Sequence, residues 1–291
     1  MTRAGTKYVV ITPVRNEQAY LGSTIESMLS QTVPPAEWII VNDGSTDSTG
    51  RIIDDLANRC PWVRAIHRED RGYRKSGGGV VEAFDDGYSA VLSRQWDFIV
   101  KLDGDLAFGP DYFDRCFQHF AREPELGVAG GIIEHIEHGR RCVENCPAFH
   151  VRGATKIYRR ACWEAIGGFW PAPGWDTIDE VKAQMLGWRT RSLPDLRLLQ
   201  LRHTGASDGM WSNAVKNGRA NYVCGYHPLF MLGKCVRRLL RKPYLIGSLG
   251  LFWGFITGYL RCVSMVDDSQ AITYLRKQQL ARLTGRSTMW K

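Results

Sequence analysis

Two carboxylates one residue apart, in Lys101-Leu102-Asp103-Gly104-Asp105, carry the densest chemistry of this 291-residue chain. They follow Trp96-Asp97-Phe98-Ile99-Val100, a run that reads as a buried strand. Acids placed where a strand enters a loop can hold a hard divalent cation such as magnesium or manganese, which takes oxygen ligands. Gly104 between them would let another backbone or a phosphate come close. The plainer reading is a solvated acid pair in a loop.

Two further polar clusters follow strand-like runs: Pro13 to Glu17 after Tyr8-Val9-Val10-Ile11, and Asn42 to Asp47 after Trp38-Ile39-Ile40-Val41. Helical spacing between the strands appears at Leu21, Ile25, Met28 and Leu29, then from Asp47-Ser48-Thr49 through Asn58, then from Gly79 to Ser93. Val63 to Ile66 supplies a third strand. Near-continuous apolar strands alternating with helices imply an α/β fold with a mostly parallel sheet covered on both faces. Ligands of such sheets bind at the carboxyl ends of the strands, so the three polar clusters should converge on one edge.

The middle of the chain is more mixed. It predicts a helix from Pro110, a strand over Gly127 to Ile133, helices over Ala161 to Ile166 and Trp175 to Leu186, and edge strands over Arg189 to Leu193 and Leu196 to Leu201. Residues 243–260 carry no charge, lie between Arg241-Lys242 and Arg261, and contain four glycines. A spanning helix needs about 20 apolar residues, so this stretch is short for one. A buried hairpin, a monotopic or re-entrant membrane segment and a true span all remain open; Tyr244, Trp253, Tyr259 and the flanking cations favour the membrane interface. Ala271 to Leu283 reads as a basic helix.

The formal net charge is +8, but from Lys216 onward thirteen Lys and Arg face two acids, a surplus of +11 that leaves residues 1–215 at −3. A basic tail suits an anionic surface. Nucleic acid is disfavoured, because the cations flank an apolar stretch and no recognition motif accompanies them. The polar N-terminus gives no indication of secretion. The eight cysteines match no zinc spacing and read as reduced cytosolic thiols, with a Cys142–Cys146 bridge as the alternative.

In their order and spacing, Val10-Ile11-Thr12-Pro13-Val14-Arg15-Asn16-Glu17, Val41-Asn42-Asp43-Gly44-Ser45-Thr46-Asp47, Asp103-Gly104-Asp105, Gly167-Gly168-Phe169 and Gly187-Trp188 resemble the family 2 glycosyltransferases. The resemblance covers about residues 8–205. It implies a Rossmann-like GT-A fold over residues 1–206, with a donor half to about 110 and an acceptor half over 111–206. Residues 207–291 would form a basic, helical, membrane-associating appendage. The tail resembles bacterial members that act in exopolysaccharide or lipid-linked glycan assembly, at the cytoplasmic face of the inner membrane, peripheral or monotopic.

The resemblance also implies roles. The donor would be a nucleoside-diphosphate sugar, with UDP the commonest carrier, and the acceptor a saccharide or a lipid-linked one. Pro13, Asn16 and Glu17 would lie beside the nucleoside, and Asp43 would accept from base or ribose. Asp105, with Asp103, would hold manganese or magnesium on the diphosphate, and His203 could complete that site; a structural histidine is the alternative. Arg74 and Lys75, before the glycine run Gly77 to Gly79, could neutralise phosphate or simply form a basic loop. Family members invert: one displacement, with a base that takes the acceptor's proton. Counting back from Gly187-Trp188 lands on Asp176, with Asp179 its rival. Trp175 stands where the family has Glu, which also leaves open a non-catalytic nucleotide- or glycan-binding scaffold. Trp170, Trp175, Trp188 and Trp211 suit sugar faces or a core equally. A homo-oligomer is possible through the tail.

Overall fold

The computed structural model describes residues 5–73, 77–137, 139–144, 146–202, 209–239 and 244–290. In chain order the first part runs β1 (Tyr8–Val14), α1 (Leu21–Leu29), β2 (Glu37–Asp43), α2 (Thr49–Arg59), β3 (Val63–Arg68), α3 (Gly78–Ser89), β4 (Phe98–Leu102), β5 (Leu106–Ala107) and α4 (Tyr112–Arg122). The rest runs β6 (Leu126–Glu137), β7 (Arg140–Val143), β8 (Thr155–Arg159), α5 (Arg160–Ile166), α6 (Trp175–Met185), β9 (Arg189–Gln200), α7 (Met210–Val223), α8 (Pro228–Arg238), α9 (Ile246–Leu260) and α10 (Ser269–Leu283).

The strands form one sheet in the order β3-β2-β1-β4-β8-β6-β9-β5, with β7 hairpinned onto β6. β1 to β4 are mutually parallel, as their apolar runs predict. Alternate residues of one strand feed two cores. Tyr8, Val10, Trp38, Ile40 and Val100 meet α1, α2 and α4 through Leu21, Ile53, Phe113 and Phe117. Val9, Ile11, Ile39, Val41 and Ile99 meet α3 and α5 through Phe84 and Trp163. Burying each such side chain contributes roughly 1.5–3 kcal/mol, so both sheet faces are closed to water.

Two departures from the sequence reading matter for the site. β8 was not legible as a strand, yet it lies at the middle of the sheet, antiparallel to both β4 and β6. Its Lys156 is 0% exposed, although lysine is almost never fully buried unless paired. The two edge strands expected over 189–201 are one strand, β9, which pairs β6 on one side and the two-residue β5 on the other, with an irregularity opposite Gly131/Ile132.

Ile246–Leu260 of the charge-free stretch form α9. Its glycines make one face that packs on α7: a Cβ at Gly254 would stand 2.0 Å from the Val215 carbonyl oxygen, and one at Gly218 2.0 Å from that of Leu251. Close backbone approach, not dilution of a span, is what these glycines provide. No helix among the described residues is long and apolar enough to cross a membrane. The opposite face of α9 leaves Leu249, Phe252, Trp253 and Leu260 exposed. The C-terminal helices share a hydrophobic cluster with Ile178 and Val181 of α6, so one core spans the boundary expected at 206.

Candidate active site

The carboxyl ends of β1, β2 and β4 bring the three polar clusters to one edge. Asn16 takes a left-handed backbone, φ 54°, a conformation that asparagine tolerates better than most residues. It is held there by two bonds: its amide N–H donates to Ser45 Oγ (3.0 Å), and its Oδ1 accepts from the Thr46 N–H (2.8 Å). Asn16 therefore ties the first loop to the second. Glu17 N–H donates to Thr49 Oγ1 (2.8 Å), and its carboxylate pairs with Arg202 (2.9 Å), which also donates to the Asn16 carbonyl (2.6 Å). Pro13 lies inside β1, opposite Val41. Arg202, two residues past β9, was not singled out in the sequence. Its only signal is its place just after the apolar run Leu198 to Leu201.

Asp43 ends β2 and is 8% exposed. Arg68 donates to its Oδ1 (2.5 Å) and Arg71 to its Oδ2. Arg68 also reaches Asp86 (2.7 Å) and Arg71 reaches Glu82 (3.3 Å). Both carboxylate oxygens are thus already engaged by guanidinium groups. Each keeps a further lone-pair direction for a ligand. Arg74, Lys75 and His203 lie outside the described residues.

Asp103 and Asp105 differ sharply. Lys101, 3% exposed, donates to Asp103 Oδ1 and to the Gly153 carbonyl (2.6 Å). Asp103 is therefore partly neutralised by its own strand. Asp105 is 5% exposed; its Oδ2 accepts from Gln200 (3.2 Å), while its Oδ1 is buried with no hydrogen-bond partner. Burial first, then the Asp103 charge, push its pKa up to about 6. A buried carboxylate oxygen without a donor is costly. It fits a position meant for a cation, and a hard divalent ion suits an all-oxygen pair. The Gly104 expectation needs correction in detail: a Cβ there would meet Val14 Cγ1 at 2.5 Å, so the close neighbour is that side chain.

Asp176 lies in the first turn of α6, where the helix N-terminus favours a negative charge. A Cβ at Gly153 would lie 3.1 Å from the Trp175 ring and 3.4 Å from Asp176 Cβ. Since Lys101 bonds Gly153, a short run of contacts joins Asp103 to Asp176. Asp176 lines a cleft of about 1120 Å³ whose far wall is built by the C-terminal helices.

Asp179, the rival base, does not reach that cleft. It is 1% exposed, and it accepts from Lys156 (2.7 Å and 3.0 Å) and from the Tyr158 hydroxyl. Glu180 is fully buried beside it, pairing Lys156 (3.0 Å) and His150 (2.8 Å) and accepting the Val151 N–H (2.7 Å). Burial works against the Lys156 charge, but Asp179 and then Glu180 hold its pKa above the usual lysine value. The structure thus commits both Asp179 oxygens to buried partners and leaves Asp176, of the two, in the cleft lining.

The four tryptophans resolve unevenly. Trp175 packs on Phe169 (4.6 Å between centroids) in the second core, with Trp188 at its border; Trp170 borders the third cluster, and Trp211 is half exposed. The aromatic residues lining the cleft are instead Phe149, Tyr226, Phe230 and Trp290. All eight cysteines are free, Cys142 and Cys146 included.

The family model for "Glycosyl transferase family 2" matches residues 9–171, more than half of the chain. The chain is 26% identical over 198 residues to the putative glycosyltransferase EpsH of Bacillus subtilis (strain 168), an overlap of 62% of this chain and 54% of that protein. Across such curated relatives it spans between about a third and about half of their length. Among solved structures it is similar to the mannosyltransferase PcManGT from Pyrobaculum calidifontis in complex with GDP-Man and Mn2+ (TM-score 0.58, 16% identity, 99% of this chain and 77% of that one). It is also similar to S. aureus TarS 1-349 in complex with UDP-GlcNAc (TM-score 0.56, 17% identity, 97% and 93%).

Proposed function

The chain belongs to glycosyl transferase family 2, and we propose that it transfers a sugar from a nucleoside-diphosphate donor, with UDP favoured as carrier, to a saccharide or lipid-linked acceptor in bacterial polysaccharide assembly. One observation carries the reading. Asp105 keeps a buried, unpartnered oxygen beside Asp103 at the sheet edge, and Asp176 stands across Lys101 and Gly153 at the mouth of a cleft. The solved relatives with bound GDP-Man or UDP-GlcNAc support the donor class.

In this reading Asp105 and Asp103 would hold a manganese or magnesium ion, which supplies positive charge to the departing diphosphate. The cluster of Glu17, Asn16 and Asp43 lies on the nucleoside side of it. Arg202, paired with Glu17, contributes a further positive charge on the diphosphate side. Asp176 takes the proton of the acceptor hydroxyl. The acceptor oxygen then bonds to the anomeric carbon as the bond from that carbon to the diphosphate oxygen breaks. The electron pair leaves with the nucleoside diphosphate, and the configuration inverts. General-base assistance of this kind is worth roughly 10²–10⁴-fold.

The test is Asp176→Asn. It should lower transfer by about 10²-fold or more while leaving donor binding intact. Full activity in that variant would overturn the assignment of Asp176 as the base, whereas donor binding without transfer by wild type would leave the non-catalytic scaffold standing. We also place the protein at the cytoplasmic membrane face, held peripherally. This rests on exposed Leu229, Leu232 and Val236 of α8, the exposed face of α9, and the +11 tail.

A further inference from the structure

The cleft beside Asp176 has a one-sided charge. Arg152, Lys234, Arg237, Arg238, Arg282 and Arg286 line it, and among the described residues Asp176 is the only carboxylate in the lining. Two of these cations are committed. Arg152 pairs with Glu144 (2.8 Å), and Arg282 donates to the Trp290 carbonyl (2.8 Å). Lys234 is different. It is partly buried, its ammonium lies 5.2 Å from the Tyr226 ring centroid, and its hydrogen bond to Asn221 Oδ1 is long, 3.4 Å. Among the described residues no carboxylate pairs with it. Burial, then Arg238, depress its pKa to about 8. Arg238 Nε is itself buried without a hydrogen-bond partner.

Covered cations without an anion are unfavourable. Their arrangement is explained if an anion enters. Phe149, Tyr226, Phe230 and Trp290 lie in the same walls and suit sugar rings.

We propose that this cleft is the acceptor subsite and that the acceptor carries phosphate: Lys234, Arg237 and Arg238 hold the phosphate oxygens while a neighbouring hydroxyl meets Asp176. This rests on the glycosyltransferase reading and narrows its acceptor class. Planar guanidinium groups bind phosphate in a bidentate way, and a lysine adds a point charge. The phosphate could belong to a lipid-linked diphosphate or to an alditol-phosphate polymer, since the shared chemistry is the anion.

The probe is inorganic pyrophosphate, titrated calorimetrically in EDTA so that no metal bridges it to Asp105. Wild type should bind it, and Lys234→Gln should weaken binding about tenfold or more. The exposed Arg237→Gln, which has no packing role to lose, should weaken it several-fold and guards against a misfolded Lys234 variant. No binding in EDTA, or unchanged binding in both variants, would overturn the proposal. Separately, wild type is titrated with UDP-sugars and manganese; failure there counts against the glycosyltransferase reading and leaves the anion result to stand by itself. Competition by a short alditol-phosphate oligomer, set against a long-chain alcohol diphosphate in detergent, then distinguishes the two sources.

Discussion

Asp105→Asn separates an acid held for a cation from one held for the fold. In the folded chain, burial and then Asp103 raise the Asp105 pKa from 3.8 to about 6. Between those two values the unfolded chain has lost the proton and the folded chain still holds it. The native state therefore binds more protons, and stability falls as pH rises through the window. Above about pH 6 the whole cost is present; about two pKa units correspond to on the order of 3 kcal/mol. Asparagine keeps the shape and can still accept from Gln200, yet it carries no charge. Urea denaturation in EDTA at about pH 7.5 should therefore find the variant more stable than wild type, by up to about 3 kcal/mol, with the gap closing near pH 4. Manganese should then raise the midpoint of wild type and not of the variant, because only a native state that binds the ion gains from it. A variant less stable than wild type in EDTA near pH 7.5, or equal manganese stabilisation of both, would refute the reasoning.

Lys156→Met leaves Asp179 and Glu180 buried without their ammonium, and unfolding should become easier by about 3–5 kcal/mol, read by urea denaturation; a loss under about 1 kcal/mol would mean the three groups are not a unit. Gly254→Ala places a Cβ 2.0 Å from the Val215 carbonyl oxygen, so α7 and α9 must separate, at a cost of roughly 1–3 kcal/mol seen as a lowered Tm. An unchanged Tm would show the helix pair is looser than described. Trp253→Glu, on the exposed face of α9, should reduce sedimentation with anionic liposomes several-fold without lowering Tm; equal sedimentation would remove the membrane face.

The donor half was legible because its signals are local. Tyr8 to Ile11 and Trp38 to Val41 are strands buried on both faces, so their apolar runs are unbroken. The loops after them hold the residues that bring the edge together. The acceptor half hid its logic in long-range pairs. Lys156 sits in β8 as a fully buried cation, and nothing within its own strand announces Asp179 and Glu180 more than twenty residues later. Asp179 looked like a possible base for the same reason: its partners are invisible in the sequence. Arg202 meets Glu17 across 185 positions, and the cations of the cleft come from the segment before β8, from α8, and from α10 and the residues after it, while Asp176 stands on α6. The +11 tail was read as a membrane surface, but part of that charge lines a cleft.

Trp175 was the departure that weakened Asp176 on paper, and the structure changes its weight. The ring lies 5.6 Å from both the Lys101 and the Lys156 ammonium groups. Lys101 already has Asp103, and Lys156 already has Asp179 and Glu180. A glutamate at 175 would add a third buried acid around Lys156 or compete with Asp103 for Lys101, raising the cost of ionising all of them. The neutral ring instead gives both cations a π face. It also packs on Phe169 and anchors the first turn of α6 at Gly153. With that turn fixed, Asp176 can line the cleft while Trp175 points into the core, so the tryptophan lends no support to a non-catalytic reading.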